Sequence, residues 1–193
     1  VGVFDGVHLG HCYLMEQVRA LARERGLSSA AITFRNHPRT VLTPDTEVSY
    51  LCPLEKRLEL LRATGVRHVV PLTFTKDLSR LTARQFGTLL VQNLGMQGLL
   101  MGSDFALGKG REGTAPVLEA LGRELGYTLT IIEPFRHAGQ VVSSTAIRHC
   151  LTKGDMKEAS QLLGRPFSLS GTVTLGDKRG HSIGFPTANI GLP

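Results

Sequence analysis

Apolar positions along the chain follow two rhythms that take turns. Short runs of consecutive apolar residues alternate with longer stretches in which Leu, Val and Ile return every three or four positions, as buried strands alternating with amphipathic helices would require. Leu14, Val18 and Leu21 form the first helical stripe, with Glu16, Arg19 and Arg23 on other faces and Gly26 as a stop, which predicts a helix over residues 11–25. Residues 29–34 (SAAITF) read as a buried strand, closed by Asn36-His37-Pro38. Pro53 opens a second helix with Leu54, Leu58 and Leu61 on one face and Gly65 as its stop. A strand over residues 68–74 follows. Thr82 and Gln85 stand at capping-box spacing ahead of Phe86, Leu89, Leu90 and Leu94, and Gly95 ends that helix. Residues 98–101 predict a strand, 115–125 a helix and 128–132 a further strand. Ser143 opens a helix through Ile147 and Leu151, and Asp155 with Glu158 starts a last one that runs to Leu163.

This order predicts an α/β fold in which a parallel sheet carries helices on both faces. Ligands of such sheets bind beyond the carboxyl ends of the strands, and the unusual loops here, 5–11, 35–39 and 102–113, stand at those ends. Gly164-Arg165-Pro166 breaks the last helix, and the texture changes to FSLSGTVTLG, which alternates like an exposed strand. A boundary near 165 is expected, with residues 1–165 as one domain and 166–193 as the start of another. The chain opens without Met and closes just after a motif that reads as unfinished. It is expected to be a fragment cut at both ends, with residues 1–4 as the end of a truncated strand.

Charge narrows the partners. A net charge of +6 favours anionic ones, nucleotide or nucleic acid. The basic residues are scattered, there is no Trp, and no aromatic strand of the RNA-recognition kind occurs, so no nucleic-acid partner is expected. Cys12, Cys52 and Cys150 are widely spaced without a CxxC pair, which fits reduced cytoplasmic thiols better than disulfides or zinc. No apolar run is long enough to span a membrane, and Asp5, His8 and His11 interrupt the apolar core that a signal peptide would need.

Four segments carry candidate chemistry. In His8-Leu9-Gly10-His11, a strand runs into a helix start, where free N–H groups and the helix dipole attract phosphate. Both imidazoles can face that phosphate, and Gly10 leaves room for it to approach the backbone. A bare HxGH string also fits two surface histidines or a weak metal site, and the strand–loop–helix setting favours phosphate. In Ser143-Ser144-Thr145-Ala146-Ile147-Arg148, three hydroxyls exceed what one cap needs, and Arg148 lies about one turn along. Its guanidinium can lean back over the helix start and take a phosphate bidentately. Residues 102–113 form a glycine-rich loop without the Gly-Lys-Ser/Thr of a P-loop. Thr33-Phe34-Arg35-Asn36-His37-Pro38 ends a strand with an aromatic and a His that would line a site.

Together, in this order, these segments resemble the bacterial bifunctional riboflavin kinase/FMN adenylyltransferase (FAD synthetase) family over essentially the whole chain. Gly2-x-Phe4-Asp5-Gly6-Val7-His8-x-Gly10-His11 is similar to its nucleotidyltransferase signature. Thr33-Phe34 with His37-Pro38, Asp104-Phe105 with Gly108, and Ser143-Ser144-Thr145-x-Ile147-Arg148 are similar to its other motifs. Gly171-Thr172-Val173, Gly176 and Gly184-Phe185-Pro186-Thr187-Ala188-Asn189 resemble the first strands of its riboflavin kinase domain.

The resemblance implies a Rossmann-like nucleotidyltransferase followed by the beginning of a β-barrel kinase domain. It implies transfer of AMP from ATP, with Mg²⁺, to FMN, giving FAD. His8, His11 and Arg148 would be catalytic. Gly2, Phe4, Asp5, Gly10, Ser143, Ser144 and Thr145 would bind ATP, while Phe34, His37, Asp104 and Leu107 would contact flavin or nucleotide. Thr187 and Asn189 would serve the kinase domain, which phosphorylates riboflavin in longer proteins and would be inactive in this fragment. No protein-held metal is assigned to the adenylyltransferase domain. Two departures stand out: Leu107 replaces the second aromatic of the family's Asp/Asn-Phe-x-Phe-Gly loop, weakening flavin stacking if it flanks the ring, and His181 replaces the usual Arg after Gly180. A related nucleotidyltransferase with another acceptor, and a non-catalytic RNA-binding domain, are the alternatives.

Overall fold

The computed structural model describes residues 1–43, 45–176, 179–185 and 187–191, with His181 and Ser182 as main chain only. Lys178, Pro186 and the side chain of His181 thus lie outside the described residues. Two parallel strand pairs form the centre. β1 (Ala30–Phe34) pairs with β2 (His68–Leu72), and β3 (Gly98–Gly102) pairs with β4 (Thr128–Ile132). Val1–Val3 runs alongside β1, where the Gly2 N–H donates to the Ile32 carbonyl at 2.9 Å and Gly2 bridges Thr33 in parallel. A cavity of about 310 Å³ separates the pairs, lined by Val1, residues 29–32 and 98–100, and Leu14, Met15 and Val18. The two ladders are therefore not hydrogen-bonded to each other in the described residues.

Helices connect the strands in the order expected of parallel pairing. α1 (Leu9–Glu24) precedes β1, α2 (Pro38–Leu42) and α3 (Leu54–Ala63) precede β2, and α4 (Lys76–Arg80) and α5 (Ala83–Leu94) precede β3. α6 (Ala115–Leu125) leads to β4, and a hairpin of β5 (Arg136–His137) and β6 (Gln140–Val141) leads to α7 (Ser144–Thr152) and α8 (Met156–Leu163). The capping box at Thr82 and Gln85 is formed in full, and Gly95 closes α5 in the left-handed conformation with φ 61°.

Three expectations on the elements need correction. Residues 38–42 are helical because Pro38 stands at the first helical position and His37 Nδ1 accepts the Arg39 N–H as a cap. β2 ends at Leu72 because its partner ends at Phe34. Beyond that register the Asn36 side chain takes over, exchanging two 2.9 Å hydrogen bonds with the main chain of Phe74. Of the FSLSGTVTLG stretch only β7 (Thr172–Thr174) is extended, because only that part meets a partner, the antiparallel β8 (Asn189–Gly191). α9 (Arg179–Ser182) lies between them, and this single pair is not in itself a barrel.

The apolar interior falls into three groups. One joins α5 and α6 to β3 through Phe86, Leu90, Leu99, Met101, Leu118 and Leu121. A second packs Ile147 of α7 against Ala159, Leu162 and Leu163 of α8, with Leu51. The third gathers Phe4, Val7, Met15, Ala31, Leu61 and Val66. The loop holding His8 runs between the second and third groups, because Phe4 and Val7 belong to one and Leu9 packs on the other.

Candidate active site

The chain from Val3 to His8 turns through an unusual backbone. Phe4, Gly6 and Val7 have φ of 52°, 75° and 37°. A β-branched residue such as Val7 adopts positive φ only under compulsion, at a cost of about 1–3 kcal/mol. The compulsion is visible. Val7 and Phe4 are buried, and both Asp5 carboxylate oxygens accept the Leu51 N–H at 3.0 Å. Arg148 donates to Asp5 Oδ2 at 2.5 Å, and Ser144 Oγ donates to the Asp5 carbonyl at 3.0 Å. Arg165 donates to the carbonyls of Gly6 and Val7. Gly6 admits no side chain, since a Cβ there would lie 2.8 Å from Leu51 Cδ1.

This turn delivers His8 as the N-cap of α1 and His11 one turn later. The rings stack with centroids 3.6 Å apart and planes 18° from parallel, and the Phe4 ring meets His11 edge-on at 5.2 Å. Nδ1 of each histidine is buried without a hydrogen-bond partner. Burial, and then the Arg165 and Arg148 charges, lower the His8 pKa to about 4. Burial, and then His8 itself, hold His11 well below the usual histidine range. Both rings are therefore neutral near pH 7, each with one nitrogen to donate and one to accept. An anion set against them reverses the balance, since opposite charge favours the imidazolium.

The pair makes the fold acid-sensitive. In the unfolded chain both histidines titrate near 6.5, whereas His8 in the fold takes up its proton only near 4. Between these values the unfolded chain binds more protons, so stability falls as pH drops through that window. His8 alone should cost roughly 3 kcal/mol by its lower limit. Urea melts from pH 7.5 to 4.5 should show this decline, and a His8→Gln/His11→Gln variant should flatten it.

Gly10 also meets a packing demand of the fold itself. A Cβ at this position would lie 3.1 Å from the Val142 carbonyl and 3.2 Å from the His8 ring. The glycine thus lets the segment before α7 close over α1 while His8 keeps its orientation. Gly10→Ala should make the Val142 carbonyl or the His8 ring give by a few tenths of an ångström and lower the rate of the reaction proposed below by up to about 10-fold, less than the ~10²-fold cost of a 1 Å misplacement. Steady-state kinetics on protein shown to be folded would check this.

The expected phosphate clamp is only partly free. Ser143 caps α7, its Oγ accepting the Ala146 N–H at 3.2 Å, and Ser144 is bonded to Asp5. Thr145 is exposed. Arg148 donates through Nε to the Ser49 carbonyl at 2.7 Å, and its other arm holds Asp5, the residue whose carbonyl Ser144 holds at the helix start. Phe34 packs edge-on against Phe74 at 5.2 Å, and the His37 ring faces Tyr50 at 6.3 Å. Asp5 and Arg148 both lie close enough to influence His37, whose pKa is lowered first by burial and then by Arg39.

Comparison with known proteins decides the family. Residues 1–146 match the model of the FAD synthetase family, and residues 163–193 match that of riboflavin kinase. The chain belongs to the FAD synthetase family. Bifunctional riboflavin kinase/FMN adenylyltransferases from Listeria monocytogenes and Escherichia coli are 40% and 38% identical to it over 193 residues. The matches cover 98% and 100% of this chain and 60% and 62% of those proteins, and the Bacillus subtilis relative of that name is 37% identical. The chain thus spans about three fifths of the length of the curated relatives it matches. A crystal structure described as a macrolide-efflux protein from Streptococcus pneumoniae superposes with a TM-score of 0.89 at 30% identity, covering this whole chain and 62% of that one.

Within this family fold, the structure gathers Phe4, Asp5, His8, Gly10, His11, Ser144 and Arg148 around one turn, with Gly2 behind it against the Phe4 ring. Asp104 is exposed, and no hydrogen bond, ion pair or ring contact among the described residues joins it to the histidines. Leu107 is 8% exposed and belongs to the α5–α6–β3 interior, bridged to Gly113. Thr187 and Asn189 line a different cavity with residues 173–176 and Arg179.

Sequence reasoning missed Arg57 and Arg165. Arg57 is 1% exposed and donates to the carbonyls of Val3 at 3.1 Å and Phe34 at 2.8 Å, tying together the ends of the two segments that feed the site. Its position was legible: three residues after Leu54 and four before Leu61, it lies on the apolar stripe of α3.

Proposed function

We propose that this chain transfers the adenylyl group of ATP to FMN, giving FAD and pyrophosphate. The observation that carries the reading is the neutral, stacked His8–His11 pair at the N-terminus of α1, each with an unpartnered Nδ1, in a member of the FAD synthetase family. An oxygen of the FMN phosphate attacks the α-phosphorus of ATP in line. The new phosphorus–oxygen bond forms as the bond to the β-phosphate oxygen breaks, and pyrophosphate leaves. The attacking phosphate is already anionic, so no general base is needed, and catalysis rests on positioning and charge stabilisation. His8 and His11 hold the α- and β-phosphates, while Ser144, Thr145 and Arg148 serve the β- and γ-phosphates. Because Arg148 is bonded to Asp5, its contribution is a charge held at a fixed place rather than a mobile arm.

Among the described residues no group of three His, Cys, Asp or Glu is arranged to hold a metal ion. Mg²⁺ would enter with the nucleotide phosphates and neutralise part of their charge. The α/β domain is read as one doubly covered parallel sheet, with residues 166–193 beginning a kinase barrel. There Thr187 and Asn189 serve nucleotide binding for phosphorylation of riboflavin. A cytoplasmic setting is the reading of three widely spaced cysteines without a CxxC pair. No described helix is long and apolar enough to cross a membrane.

The acceptor is the point to test. Purified protein with MgATP should release pyrophosphate when offered FMN, and not when offered nicotinamide mononucleotide or phosphopantetheine. Release with either of those alone would establish a different acceptor. Tight, salt-dependent RNA binding without any pyrophosphate release would favour the non-catalytic alternative.

A further inference from the structure

We propose that Arg165 is a positioning residue for adenylyl transfer, its guanidinium holding the Gly6 and Val7 carbonyls so that the left-handed turn presents His8. The inference rests on the adenylyl-transfer reading for its kinetic consequence, though not for its geometry.

The turn has two halves, and they are held differently. Asp5 secures the first through Leu51, Ser144 and Arg148. The second half contains the strained Val7 and leads directly into His8. Its carbonyls receive the fork of Arg165, one arm on Gly6 and the other on Val7 at 3.1 Å. The only further contact on them among the described residues is the weak Cys12 Sγ donor, 3.7 Å from the Val7 oxygen. Two adjacent carbonyls suit the rigid fork of a planar guanidinium, whose donors sit on separate nitrogens, whereas an ammonium presents its three donors from a single point.

Arg165 is itself fixed. Its N–H donates to the Ser160 carbonyl at 3.2 Å, and Gly164 closes α8 with φ 71°. A Cβ on Gly164 would lie 2.5 Å from Leu9 Cδ2, so the end of α8 and the residue after His8 pack tightly. The strap thus joins two rigid points. It also places a permanent charge beside His8, which favours the neutral ring. Arg165 lies within the stretch that matches riboflavin kinase, yet it acts on the loop of the part that matches FAD synthetase.

Arg165→Met should lower kcat for FAD formation by about 10–100-fold, with KM for ATP within about twofold. Arg165→Lys should restore little of the rate. Ring ¹H–¹⁵N spectra supply a readout independent of activity. The groups around His8 are Asp5 on its own loop, His11 and Cys12 on α1, Arg148 on α7 and Arg165 after α8. Of these only Arg165 is altered, so in Arg165→Met the His8 ring should titrate at higher pH than in the wild type. Should that variant not fold, Arg165→Gln, which retains a donor of shorter reach, takes its place in both measurements. A folded variant with wild-type kcat and an unmoved His8 titration would overturn the proposal. A wild-type protein without FMN-dependent pyrophosphate release would sink the adenylyl-transfer reading instead, while the His8 titration would still decide whether the strap exists.

Discussion

Replacing His11 with alanine is expected to lower FMN-dependent pyrophosphate release by about 10²–10³-fold, the usual cost of losing a donor aimed at developing charge. The site makes this more than a matter of one hydrogen bond. His11 is held between the Phe4 edge and the His8 face, so its removal also frees His8 to rotate. The His8→Ala variant should lose activity to a similar degree. The double variant should lose much less than the product of the two effects, because stacked partners act as a unit. Single-turnover kinetics at saturating MgATP would separate this loss from weaker binding. A His11→Ala enzyme within a few-fold of the wild-type rate would remove the histidines from the chemistry.

The second large effect concerns folding. Asp5 is 3% exposed and serves Leu51 and Arg148 at once. Its replacement by alanine leaves a buried N–H and a half-buried guanidinium without their acceptor, and breaking such a pair typically costs about 3–5 kcal/mol. The partial exposure of Arg148 favours the lower end. For a chain of this size that corresponds to a fall in Tm of roughly 6–12 °C. Asp5→Asn, which keeps an acceptor for Leu51 but loses the charge, should fall in between. Thermal melts of both variants beside the wild type would check the order. A melting temperature unchanged in Asp5→Ala would mean that the turn is held by its apolar contacts alone. Asp5 reads in the sequence as part of an ATP-binding signature, and in the fold its carboxylate ties the turn that carries the histidines to Leu51 and Arg148.

Much of the architecture was legible because its signals are local. The capping box at Thr82, the Ser143 cap and the glycine stops at 26, 65 and 95 fall where turns and helix ends occur. The HxGH segment could be placed at a helix start because a strand-like stretch precedes it and an apolar stripe follows. Most of what escaped depends on partners far away in the chain. His37-Pro38 escaped for a local reason, since it reads equally as a strand's end or a helix's first turn, and Pro38 with the His37 cap makes it the latter. Leu107 stands in a loop by its glycine neighbours, but the α5–α6 interior draws its side chain inward. Arg165 breaks a helix in the sequence, and nothing nearby signals that its guanidinium meets a loop 158 residues earlier. Arg57 is the exception, since its place on an apolar stripe was readable from spacing alone.

The central claim is that the adenylyl group of ATP ends on the FMN phosphate at the His8–His11 site. Incubating the protein with FMN and ATP labelled at the α-phosphorus tests it most directly, with the products separated by chromatography. The account predicts label in FAD in step with unlabelled pyrophosphate, and none of it in the His11→Ala variant beyond about a hundredth of the wild-type yield. Label recovered only as ATP or free AMP, or FAD formed equally well without His11, would contradict it.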